Sequence, residues 1–168
     1  VAIDDAPVDA TALLPNAQNT VNSIDSAMTR SVVGLCAWAL GAMERVLEMT
    51  VEYARNRSQF GKPIGQFQTI QHRCADMALD VELARNLTYQ AAQIVALEQD
   101  ATREVSMAKS FVGDACKRMT LTAHQVFGAI GFTREHDLQL YTRRAKGWEP
   151  MFGNAALHKE VIANNIGL

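Results

Sequence analysis

The stretch VNSIDSAMTRSVVGLCAWALGAMERVLEMTVEYA, residues 21–54, decides the fold. Met28, Val32, Leu35, Ala39, Ala42, Val46, Met49 and Tyr53 recur along it at alternating steps of three and four. That spacing lays one apolar stripe along one face of a long helix. The period fails at RNRSQFGKPIGQ, residues 55–66, where Gly61, Pro63 and Gly65 break the helix.

Two further stripes follow. Ile70, Cys74, Met77, Val81, Ala84, Thr88, Ala91 and Val95 form the second, which stops near Glu98, Gln99 and Asp100. Asp100 is the expected N-cap of the next helix, with Glu104 in or just beyond its first turn. Val105, Ala108, Val112, Ala115, Met119, Thr122 and Val126 form the third, which ends at Gly128 and Gly131. Shorter amphipathic segments cover about 135–146 and 154–166. The long helices, roughly 25–33 residues each, span ~38–50 Å at the α-helical rise. A compact chain of this length is only about 40 Å across. Helices as long as the whole domain pack most simply as an up-down bundle, so the expected fold is all-α. Residues 1–18 read differently: a short strand or extended piece, then a linker, ended early by Asp4, Asp5 and Pro7. The expected boundary separates a remnant at 1–18 from a helical bundle at 19–168.

Composition narrows the function. The 168 residues are 48% hydrophobic and 20% charged, the make-up of a soluble globular domain. A net charge of −2 argues against a nucleic-acid surface. No apolar run approaches the ~20 residues of a membrane span. No signal peptide is visible in residues 1–20. Cys36, Cys74 and Cys116 lie far apart among apolar neighbours and read as buried thiols in a reducing, cytoplasmic compartment. The chain begins at Val1 and is expected to be a piece of something longer.

A di-iron centre needs Glu-x-x-His on facing helices. Thr69, Leu121, Thr133 and Ala155 stand three residues before His72, His124, His136 and His158, so that centre is excluded. No other cluster has metal-ligand spacing, and Ser31 and Ser58 have no adjacent histidine. Two stretches remain unusual. Residues 55–64 bring Arg55, Arg57 and Lys62 around Phe60 in a turn between long helices. Guanidinium forks there suit a pyrophosphate or carboxylate, and a solvated helix end is the competing reading. Residues 125–133, QVFGAIGFT, set small residues beside two phenylalanines at a helix end. They admit a close backbone or a flat ligand, or else form a simple glycine cap.

Taken in order, YARNRSQFGKPIGQFQTIQH at 53–72, DMALDVELAR at 76–85, AKSFVGDA at 108–115 and QVFGAIGFTREHDLQLYTRRAK at 125–146 resemble the C-terminal helical domain of the acyl-CoA dehydrogenase family. The resemblance covers about 20–168, and it likens residues 1–18 to the last strand and linker of that family's middle β-domain. It implies an FAD-dependent α,β-dehydrogenation of acyl-CoA thioesters, with this domain building the core of an oligomer. It implies that Arg57, Gln59 and Phe60 approach the FAD diphosphate. It further implies that Gln125, Gly128 and Ala129 supply a second contact, from a neighbouring subunit, and that Asn154 belongs to the same cofactor set. Ala129 stands where the family often has glycine.

The family removes the α-proton with a glutamate, which needs a tuned carboxylate at the α-carbon. Counting from RRAK, the usual position of that base is Phe152. The alternative position, at the start of the first long helix, falls near Ser31, with Asp25 the nearest acid upstream. Glu149 is the remaining candidate, displaced by three residues. The resemblance therefore implies a subunit without its own base. It would work in a homo- or hetero-oligomer beside a catalytic partner subunit, as in bacterial sterol side-chain degradation. A conventional dehydrogenase with a relocated base and a non-enzymatic helical scaffold are the alternatives. The 168-residue chain alone is expected to be inactive and to self-associate.

Overall fold

The computed structural model describes residues 5–7, 9–12 and 20–168. Five helices account for most of it: α1 Thr20–Asn56, α2 Gln68–Ala96, α3 Thr102–Phe127, α4 Leu138–Trp148 and α5 Ala155–Asn165. The all-α expectation is met. The strand expected within residues 1–18 falls largely outside the described residues; among those described there, Ala10–Ala12 form a short 3-10 turn.

The three stripes meet as the core. Val32, Leu35, Ala39, Ala42 and Val46 of α1 face Met77, Val81, Ala84 and Ala91 of α2, and Val105, Ala108, Val112, Ala115 and Met119 of α3. Cys36, Leu40 and Met43 widen the α1 stripe, because three packed neighbours demand a broader apolar face than one row. Met28 departs from expectation: it is exposed, at the N-terminal end of α1 where neighbouring residues are also exposed. Among the described residues, two ion pairs tie the three long helices to one another across the surface. Arg85 of α2 reaches Glu44 of α1 at 2.7 Å. Arg118 of α3 grips Asp80 of α2 with both Nε (3.1 Å) and Nη2 (2.6 Å).

Helix ends correct the sequence reading in detail. Asp100 is not the N-cap; Ala101 holds that position. The Asp100 carboxylate instead accepts from the Thr102 amide at 3.0 Å and from its hydroxyl at 2.6 Å. The stop after α1 is also more than a break. Ser58–Gln59 (β1) and Lys62–Pro63 (β2) pair antiparallel around Phe60 and Gly61. Both turn residues have positive φ, +53° and +80°, the twist a two-residue hairpin requires. The Ile64 amide closes the hairpin on the Arg57 carbonyl at 2.8 Å.

α4 and α5 lie against α3, and an aromatic contact seats α4 on α1: the rings of Trp38 and Trp148 stand 5.0 Å apart. The buried thiols match expectation for Cys36 and Cys116, whose pKa burial pushes up to about 12. Cys74 is half-buried and also raised by burial.

Candidate functional site

The hairpin after α1 and the turn after α3 leave the same end of the bundle. Tyr53 joins them: its ring packs on Phe127 at 4.5 Å and its hydroxyl donates to the Phe127 carbonyl at 3.4 Å. Arg57, Gln59, Phe60, Gln125, Gly128 and Ala129 therefore share one end, and all six are exposed. Phe60 is 92% exposed despite its positive φ, touching Phe67 edge-on at 6.1 Å. A bulky residue held in the left-handed region and aimed at solvent carries strain without local return. The cations do not surround Phe60 as the sequence suggested. Lys62 folds over the Phe67 ring at 4.5 Å, while Arg55 and Arg57 stay exposed.

The turn after α3 divides its small residues between two tasks. Gly128 has φ +66° and open space where a Cβ would stand. Gly131 is buried, and a Cβ there would crowd Phe127, His124 and Leu138 at 3.0–3.2 Å. The first glycine leaves room outward, and the second lets the turn pack inward. Phe132 stacks on His124 at 4.3 Å, and His136 lies 4.4 Å from Phe127. Thr142 Oγ1 donates to the Leu138 carbonyl and so accepts from His124 Nε2 at 2.8 Å. His124 Nδ1 is left buried without a partner, and burial lowers the His124 pKa, with His136 and Lys146 adding to the effect. On α2, Arg73 donates to Gln125 Oε1. Sequence reasoning missed Arg73, which adds a further guanidinium to those of Arg55 and Arg57 at this end of the bundle.

An extended anionic dinucleotide fits this donor set. Exposed guanidinium groups complement phosphate, a side-chain-free turn admits close approach, and an exposed ring offers a flat contact.

The loop 149–154 sits elsewhere, beside the first half of α3. Its anchor, Lys109, stands sixteen residues before Gln125 along the helix, or about 24 Å at the α-helical rise. Lys109 is only 3% exposed, and its ammonium donates to the carbonyls of Glu149 (2.9 Å) and Gly153 (2.8 Å). Burial lowers the Lys109 pKa, opposed by Cys36, Glu149 and Asp114. His158 Nε2 donates to the Phe152 carbonyl at 3.0 Å, so its Nδ1 accepts from Ser106 Oγ at 3.2 Å. Burial lowers the His158 pKa, the Phe152 carbonyl raises it and Lys109 lowers it. Phe152 and Gly153 both have positive φ, +57° and +98°. Phe152 is half-buried against the core.

The remaining sequence candidates take these places. Asn154 is exposed and its side-chain oxygen caps α5 by accepting from the Leu157 amide at 3.0 Å. Glu149 is half-buried with its Cγ lying over Gly113 of α3. The Ser31 hydroxyl donates to the Ala27 carbonyl at 2.7 Å. Asp25 lines an open cleft of about 310 Å³ between the start of α1 and the α2–α3 connection, at the opposite end from the hairpin. Among the described residues, no group of three or more His, Cys, Asp or Glu has the geometry to hold a metal ion. No helix among them is long and apolar enough to cross a membrane.

A five-helix unit of this shape, with a charged hairpin at one end and a pinned loop beside α3, has counterparts among known proteins. Residues 21–167 match the model of the acyl-CoA dehydrogenase C-terminal domain, and the chain belongs to that family. It is 33% identical over 141 residues to the acyl-CoA dehydrogenase IpdE2 of Mycolicibacterium smegmatis, covering 84% of this chain and 44% of that protein. It superposes on butyryl-CoA dehydrogenase from Megasphaera elsdenii with a TM-score of 0.80 at 34% identity, over 83% of this chain and 36% of that one. The protein PigA, solved with FAD and proline, matches at a TM-score of 0.81 and 34% identity, over 84% of this chain and 37% of that one. The chain thus spans less than half the length of these relatives.

Proposed function

We propose that this chain is the helical domain of an FAD-dependent acyl-CoA dehydrogenase subunit that has lost the catalytic base. It builds the oligomer core and part of a flavin site, while a partner subunit removes the α-proton. One observation carries the reading: the position where the family holds its glutamate is Phe152, whose side chain has no proton acceptor. The alternative position gives no relief, because the Ser31 hydroxyl is committed to its own helix.

Arg57, Gln59 and Phe60 would hold the dinucleotide at the hairpin, and Gln125, Gly128 and Ala129 at the turn after α3. Asn154 would complete the set from the loop beside α5. When bound, the flavin supplies the hydride acceptor that protein side chains lack. This chain's own residues bind and orient. Arg57 matches phosphate charge, Gly128 keeps the approach open, and Phe60 offers a flat apolar face. The ~24 Å between Gln125 and Lys109 along α3 requires an extended ligand or a neighbouring copy to connect the two regions. That spacing favours a site shared between subunits.

The test is a visible spectrum of the full-length protein, purified with and without the product of the adjacent gene and then titrated with an acyl-CoA. Flavin that appears only with the neighbour and bleaches with substrate is the expected result. Bleaching by the protein alone overturns the base-less reading and makes Glu149 and Asp25 the first substitutions. Absence of flavin under both conditions leaves a scaffold.

A further inference from the structure

We propose that loop 149–154 is a preformed mount for an acid–base side chain at position 152, with Lys109 and His158 as its positioning residues, so that only the carboxylate is missing. The inference rests on the base-less reading above and extends it to Lys109, which lies within the AKSFVGDA stretch, and to His158, which lies outside the quoted stretches.

The loop is over-determined for a segment of its length. Three of its carbonyls, from Glu149, Phe152 and Gly153, turn inward onto buried donors. A buried ammonium must be satisfied, and Lys109 reaches its two carbonyls from α3, about forty residues away in sequence. His158 reaches the third from α5 and is itself oriented by Ser106 of α3. Phe152 is held at positive φ, which a bulky residue adopts only when its surroundings impose it. Gly153 follows at φ +98°, and a Cβ there would run into Leu157 Cδ2. The Asn154 side chain then starts α5. Each restraint fixes the backbone on either side of position 152 and hence the direction of its Cα–Cβ bond. The Phe152 ring is a half-buried apolar body packed at the core margin. A carboxyl at the same Cα would sit in partly apolar surroundings, where desolvation raises its pKa toward the range useful to a base.

The reaction tested needs no oxidant. The α C–H bond of an acyl-CoA breaks, its proton passes to the carboxylate, and the electron pair moves into the thioester enolate. A solvent deuteron then returns to the same carbon.

Two arms decide the matter. In this chain, Lys109→Met is expected to reduce hydrogen-exchange protection of the Met151 and Gly153 amides at least tenfold while the α1–α3 core keeps its protection. Ser106→Ala, a milder change, is expected to do the same about threefold if Lys109→Met fails to fold. Unchanged protection in a folded variant overturns the clamp. In the flavin-bearing complex of the full-length protein with its neighbour, Phe152→Glu is expected to bring deuterium from solvent into the acyl-CoA α-position faster than in the parent complex, whose rate is the background, with a rate that rises with pH. Phe152→Gln is expected to leave the exchange at background, and adding Lys109→Met to Phe152→Glu to cut it about 100-fold. Flavin present with no exchange in Phe152→Glu overturns the mount. Flavin absent even with the product of the adjacent gene present overturns the reading beneath it, and the amide-exchange arm still decides the clamp.

Discussion

Lys109 and His158 are costly residues for a helical domain, and their burial has consequences that can be measured. The neutral His158 is favoured in the folded chain, since burial holds its pKa below the ordinary histidine value, and the same holds for His124. Unfolded histidine takes up a proton as pH falls through about 6.5, while these two resist until lower pH. Their contribution is therefore present above about pH 6.5 and is lost as pH falls through the folded pKa. Urea midpoints at pH 7.5 and 5.5 are expected to differ less in His158→Gln than in the parent chain; an equal difference contradicts the assignment. Gly153→Ala is expected to cost about 1–3 kcal/mol, because φ +98° lies in a region that L side chains rarely adopt. A thermal melt followed by circular dichroism checks it. Neither partnership was legible in the sequence, since contacts between residues forty or more apart leave no periodic trace. One signal was available: Lys109 falls among Val105, Ala108 and Val112, on the apolar face of α3, where a lone cation needs a reason.

The helices were legible because burial on one face forces a repeat of three and four. Met43, 1% exposed on α1 beside that stripe, shows what burial on this face is worth: Met43→Ala is expected to cost roughly 2–5 kcal/mol in denaturant titration. The hairpin between α1 and α2 was not legible. Strands of two residues carry no period, and phenylalanine is a poor signal for a turn position needing positive φ. The Phe60 backbone therefore stores strain that a residue tolerant of that conformation would release. Phe60→Asn is expected to stabilise the isolated chain by about 0.5–1 kcal/mol while weakening its assembly or flavin retention. Melting temperature and gel filtration of the same variant separate the two effects. A variant neither more stable nor less assembled contradicts the role given to the ring.

The bundle as a whole leaves large apolar side chains outside. Phe60, Leu79, Tyr89 and Phe132 are each more than 60% exposed. Scattered apolar residues are ordinary, but aromatic rings at both the hairpin and the turn after α3 point to surfaces completed by other chains. Sedimentation of the isolated chain is expected to give a mass above 18.4 kDa, and a monomer at micromolar concentration contradicts this. The chain also carries its own optical gauge. Its two tryptophans, Trp38 and Trp148, are the pair that seats α4 on α1, 5.0 Å apart with planes inclined by 43°. Indoles that close share their excited states, and the shared transition vanishes when they part. Trp148 immediately precedes the loop that Lys109 pins. Light absorbed by the unlabelled protein thus distinguishes an unseated loop from a melted helix.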